Sequence, residues 1–198
     1  MSDCGCEQAD QLEKQTLIAL LTINGVMFVV ELIFGIIAQS TGLLADSLDM
    51  LADALVYGLS LYAVGQGLRR QAGAARVSGY LQLILGLGVL LEVVRRWVYG
   101  SEPQSLLMIS VALGALVANV VCLAMVAKHR HGGVHMRASW IFSANDVIAN
   151  IGVMLSGVLV AVLGSRLPDL LIGSLIAALV MWGGGKILRE AHTATQSA

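Results

Sequence analysis

The chain predicts an all-helical membrane protein, a bundle of six transmembrane helices. Three observations carry this. Hydrophobic residues make up 57% of its 198 residues and charged residues only 13%, about half the charge of an ordinary soluble domain. The apolar residues gather into six runs, each near the ~20 residues that cross a hydrocarbon core. The runs are unbroken rather than alternating, which excludes a β-barrel. Helices remain, because they satisfy every backbone polar group within the segment. The net charge of −1 argues against nucleic acid as a partner.

The elements follow in order. Residues 1–15 read as a cytoplasmic tail, not a signal peptide: Asp3, Glu7, Asp10 and Glu13 stand where a signal peptide would be basic. The first span, 16–38, ends at the short turn Gln39-Ser40-Thr41-Gly42. The second, 42–67, ends at the charged loop Arg69-Arg70-Gln71-Ala72-Gly73, and the third, 77–98, at the breaker cluster Gly100-Ser101-Glu102-Pro103. The fourth, 105–127, runs into the polar loop Lys128-His129-Arg130-His131-Gly132-Gly133. The fifth, 139–164, closes at Gly164-Ser165-Arg166-Leu167-Pro168, and Pro168 suits the first turn of a sixth helix, 168–188. The membrane domain is thus 16–188, with 189–198 a short cytoplasmic tail. With the N-terminus inside, the inner segments hold nine Lys and Arg residues and the outer ones only Arg95, Arg96 and Arg166. The positive-inside rule then puts both ends in the cytoplasm, and the plasma (inner) membrane is the expected location of this integral membrane protein.

Acids stand where lipid disfavours them. Asp49 and Asp53 are four apart in the second span and share a helix face; Asp146 and Asn150 repeat the spacing in the fifth. An ionised carboxylate at mid-bilayer costs roughly 2.5–3.5 kcal/mol on insertion scales. No Lys or Arg lies at mid-depth in any span, so a bound cation is the simplest compensation. Facing helices of a bundle build metal sites from side chains of this kind. Such ligands must be deprotonated, so metal binding would release protons, the physical basis of a metal/proton exchanger. Asn145 points about 100° from Asp146 and is a further candidate, as a ligand or as a donor behind one. Asp46, one turn before Asp49, either lines the exit path or caps the helix.

Other polar residues carry less. Glu31 and Asn24 in the first span line an ion path or bond between helices. Glu92 pairs locally with Arg96, Asn119 hydrogen-bonds across helices, and Cys122 packs as a small apolar residue. Cys4 and Cys6 form a soft-ligand pair on a disordered tail, and His129, His131 and His135 crowd the loop before the fifth span. Both groups are peripheral metal-capture candidates. The glycines Gly79, Gly86, Gly88 and Gly183-Gly184-Gly185 permit close helix contact.

With six spans, Ala45-Asp46-Ser47-Leu48-Asp49-Met50-Leu51-Ala52-Asp53-Ala54 in the second, Asn145-Asp146 followed by Ile151-Gly152-Val153 in the fifth, and Pro168-Asp169 opening the sixth, the chain resembles the cation diffusion facilitator transporters. The resemblance runs from about Thr16 to Arg189. It implies export of divalent transition metals, of the zinc, cobalt, cadmium, iron or manganese class, usually in exchange for protons and as a homodimer. It implies metal as transported substrate, with no prosthetic group and no enzymatic activity. It matches Asp49, Asp53 and Asp146 to the family's ligands. The other span-five ligand falls at Phe142 here, and Asn150 is expected to replace it. The resulting set is all oxygen, which favours harder ions such as manganese or iron(II), although zinc also accepts carboxylates. The family's cytoplasmic C-terminal domain is expected to be missing, which makes this a short form that dimerises through membrane helices. The rival readings are an exporter of small organic cations, a passive metal channel and an intramembrane aspartyl protease. The first needs an aromatic cage, yet aromatic residues are only 5%. The last needs a Gly-Asp motif that neither acid occupies.

Overall fold

The computed structural model describes residues 3–63, 68–127 and 134–196; side chains at 3–13, 60, 63, 68–72, 74, 134–143, 190 and 194–196 lie outside the described set. The described residues form six α-helices: α1 (Asp3–Ile37), α2 (Thr41–Ala63), α3 (Leu68–Tyr99), α4 (Ser105–Ala127), α5 (Val134–Leu163) and α6 (Leu167–Gln196). Each expected span lies mostly within one helix. Several helices are longer, because a helix leaving lipid continues while its residues favour it. α1 already begins at Asp3, so Cys4 and Cys6 belong to a helix rather than to a disordered tail. α3 takes in Arg69–Gly73, where the sequence places a loop; Arg, Gln and Ala are good helix formers. α6 runs on to Gln196, through most of the segment read as a C-terminal tail.

Among the described residues five helices contain a stretch long and apolar enough to cross a membrane: Lys14–Ile37, Ala75–Tyr99, Ser105–Ala127, Ala144–Leu163 and Leu167–Thr193. The sixth, α2, has 23 residues but carries Asp46, Asp49 and Asp53. Its packing explains how it tolerates them. α2 touches all five other helices, so its acids face protein and not lipid. The other helices turn large apolar side chains outward, among them Ile36, Leu91, Leu171 and Trp182. A chain that exposes such residues on most faces needs an apolar solvent.

Glycines set two of the spacings. On α3, Gly79 and Gly86 are one heptad apart and meet α6 at Gly184 and Ala177, also a heptad apart. A Cβ at Gly79 would fall 2.7 Å from Leu188, and one at Gly184 would fall 2.9 Å from the Gly79 carbonyl. The expectation for Gly79, Gly86 and Gly184 therefore holds, whereas Gly88 and Gly185 face open space. Helix ends are closed by residues of positive φ: Gly100 (92°), Gly164 (59°) and, without a glycine, Gln39 (50°). At Gly100 and Gly164 the amide bonds back to the carbonyl four residues earlier, the usual left-handed helix stop.

The start of α2 is held by α6. Ser40 caps it, its Oγ accepting from the Leu43 amide at 3.1 Å. The buried Asp169 carboxylate accepts from the Ser40 hydroxyl at 2.6 Å and from the Thr41 and Gly42 amides at 2.6 and 2.9 Å. A carboxylate at a helix N-terminus is also favoured by the helix dipole. Gly173 lets the helices approach, since a Cβ there would fall 3.0 Å from the Thr41 carbonyl. This clamp fixes the depth of α2, and with it the depth of every acid on it.

A buried polar layer as candidate metal site

The apolar core is divided into two clusters. One contains Ala38, Leu43, Ala45, Met108, Ala112 and Val153. The other contains Leu17, Leu20, Tyr57, Cys122 and Val126. Between them, along α1, α2, α4 and α5, come Asn24, Asp49 with Asp53, Asn119, and Asp146 with Asn150. The register explains the common depth. Asn24 lies 15 residues before Gln39 and Asp53 lies 14 after it. The Gln104 amide bonds the Ala38 carbonyl at 2.9 Å, which pins α4 to α1; Asn24 is 14 residues before Ala38 and Asn119 is 15 after Gln104. Hairpin helices that start level and rise 1.5 Å per residue bring these side chains to one height.

Within the layer, Asp53 of α2 and Asp146 of α5 are neighbours across the helix interface, 3% and 4% exposed. Asp49 lies within electrostatic reach of both and is partly accessible, unlike either of them. The Tyr57 hydroxyl donates to Asp53 Oδ2 at 3.4 Å. Asn150 is fully buried. Its Nδ2 donates to the Asp146 carbonyl at 2.8 Å, and its Oδ1 has no partner. Cys122 packs in the adjoining apolar cluster, as expected, and borders the Asp53–Asp146 pair. Among the described residues no three His, Cys, Asp or Glu side chains sit closely enough to hold a metal ion as they stand.

The remaining candidates fall elsewhere. Asn145 is on the exposed side of α5, as its 100° offset implies. Asp46 is fully buried and neither caps α2, a role taken by Ser40 and Asp169, nor touches water. It faces Glu31 of α1 within hydrogen-bond reach, and among the described residues no other side chain or backbone group bonds any of the four oxygens of this pair. His129 and His131 lie outside the described residues; the side chains of Cys4, Cys6, His135 and Phe142 do as well, although their backbone is helical. Asn119, expected to bond between helices, has neither amide atom partnered.

Sequence reasoning singled out the acids but not the layer. The missing signal was hairpin arithmetic. Glu31 lies eight residues before Gln39 and Asp46 lies seven after it, so a tight α1–α2 turn sets them level. The same count would have joined Asn24 to Asp53.

A six-helix bundle with acids buried on a central helix defines a membrane protein that handles cations. The chain belongs to the cation efflux family: the family model for the cation efflux transmembrane domain matches residues 17–194. Among curated proteins it is similar to the zinc transporter ZitB of Yersinia pseudotuberculosis and that of Yersinia pestis. Each is 25% identical over 124 residues, covering 62% of this chain and 40% of the relative. The chain thus spans less than half the length of these relatives. The matched model describes a transmembrane domain of cation efflux proteins.

Proposed function

We propose that this protein exports divalent transition-metal ions from the cytoplasm in exchange for protons. The observation that carries this is the buried Asp53–Asp146 pair, with Asp49 beside it and no Lys or Arg bonded to any of the three among the described residues. Like charges this close in a low-dielectric layer are strongly unfavourable unless protons or a cation neutralise them. In the cycle we infer, protons occupy the acids when the site is empty. An entering ion reaches the partly accessible Asp49, displaces protons from Asp53 and Asp146, and takes the free Asn150 Oδ1 as a neutral ligand. Loading shifts Asp49 and Asn150 towards the Asp53–Asp146 pair, because among the described residues no three acids meet at one point at rest. Rocking of the helices then opens the site outward, where protons reload it.

The donors proposed are Asp49, Asp53, Asp146 and Asn150, all oxygen. The names of the relatives favour zinc, and the oxygen set admits zinc while also suiting manganese or iron(II). The charge asymmetry between the two sides supports cytoplasmic ends, and we place the protein in the plasma (inner) membrane. A homodimer follows from the family resemblance. Equilibrium dialysis of purified protein against each metal tests the site. Wild type should bind one ion per chain at it, and Asp53→Asn with Asp146→Asn should lose that ion. Undiminished binding by the double variant would place the metal elsewhere.

A further inference from the structure

At the end of the bundle where α1 turns into α2 and α3 approaches α4, a cleft of about 520 Å³ opens between α1 and α3. The volume lies within the range of small-ligand sites. α1 and α3 both pack on α2 but not on each other, so the cleft is a groove with α2 as its floor. Its walls are apolar, formed by Leu32 and Ile36 of α1, Leu44 and Leu48 of α2, and Gly88 and Val89 of α3. Beside it, Ile33, Leu87 and Leu91 face outward, 50–64% exposed, so the groove opens towards lipid.

The polar end of the groove carries excess positive charge. Glu92, Arg95 and Arg96 line it, two guanidiniums against one carboxylate. Arg95 gives Glu92 two hydrogen bonds of 2.7 Å, through Nε and Nη2, and Arg96 gives one of 2.6 Å through Nε. That uses both carboxylate oxygens and leaves Arg96 Nη1 buried without a partner, although Arg96 as a whole is 5% exposed. The Ser101 hydroxyl, also on the groove, is buried and equally without a partner. A buried guanidinium N–H left unbonded costs free energy. The net positive charge here favours an anion over a metal cation.

We propose that this groove binds an anionic phospholipid, its phosphate on Arg96 and Ser101 and an acyl chain along the apolar walls between α1 and α3. Arginine is the side chain best matched to phosphate, and the site lies at the membrane-interface end of the spans, where headgroups lie. The charge complements an anionic headgroup, and the apolar floor separates a lipid from a free anion.

Native mass spectrometry of the detergent-purified chain, titrated with dioleoyl phosphatidylglycerol or dioleoyl phosphatidylcholine, tests this. Wild type should retain the anionic lipid at about tenfold lower concentration, the worth of one charge-assisted hydrogen bond. Arg96→Gln should abolish that preference. Gly88→Leu should weaken retention of both lipids, because it fills the groove where an added Cβ meets nothing within 4 Å. It also decides the matter should Arg96→Gln fail to fold. Inorganic phosphate at equal concentration should not compete. Equal retention of the two lipids, a preference that survives Arg96→Gln, retention unaffected by Gly88→Leu, or competition by phosphate alone would each overturn the proposal.

Discussion

At the residue scale the question is why Asp46, Asp49, Asp53, Asp146 and Glu31 can stay in an apolar bundle. They divide by position. Asp53, Asp146 and Asp49 lie between the two apolar clusters, whereas Asp46 and Glu31 form a second pair one turn before Asp49 and within electrostatic reach of it. The proposed role falls on the first group. Asn150→Ala should lower metal affinity about tenfold, a loss typical of metal-site partners, and metal titration of purified protein checks it. Asn145→Ala, on the exposed side of the same helix, should leave affinity unchanged. The candidate acids were legible because a charge in an apolar run needs a reason. The Asn150 donation to its own helix carbonyl was not, because a side chain's choice between backbone and ligand depends on the neighbouring helix.

At the element scale, α2 is held in place by others. Its N-terminus is bound to α6 through Asp169, which satisfies two amides and a hydroxyl at once. Asp169→Ala should therefore lower stability by about 3 kcal/mol, since it leaves buried donors unmatched, and should lower the melting temperature in detergent. Asp169→Asn, which keeps an acceptor, should recover part of the loss. The α3–α6 seam makes a second prediction. Gly79→Leu should destabilise by about 1–3 kcal/mol, the usual cost of overpacking, because its side chain collides with Leu188. Gly185→Leu should not, because that position faces open space. Helix number and turn positions could be read from apolar runs and breakers. The clamp could not, because Asp169 and Ser40 are 129 residues apart and neither is unusual at a helix start. Helix ends were the least legible part. Arg69–Gly73 reads as a loop by charge, yet charge also suits a helix that has already left the lipid.

At the scale of the whole molecule, the bundle is organised around α2. α2 contacts every other helix, and only there could three aspartates of one helix be kept from lipid. α5 brings Asp146 and Asn150 to the same depth. A relative movement of α5 against α2 therefore changes the number of oxygens that can meet at one point, which is what an alternating-access carrier requires. The sequence pattern reached this far because spans two and five carry the acids in matching four-residue spacing. The polar layer across α1 and α4 needed the hairpin register, which is set by a hydrogen bond between Gln104 and Ala38. An exchanger, unlike a passive channel, should also move metal against its gradient when a pH difference is imposed. Collapsing that difference with a protonophore should reduce uptake into inverted vesicles to the level of passive leak.

The most direct measurement is metal-driven proton flux in proteoliposomes, scanning zinc, manganese, iron(II), cobalt, cadmium and nickel, with wild type beside Asp53→Asn. Exchange through the buried acids predicts a proton flux that depends on at least one of these metals and disappears in the variant. A flux of equal size in Asp53→Asn, or none with any metal in wild type, would contradict it.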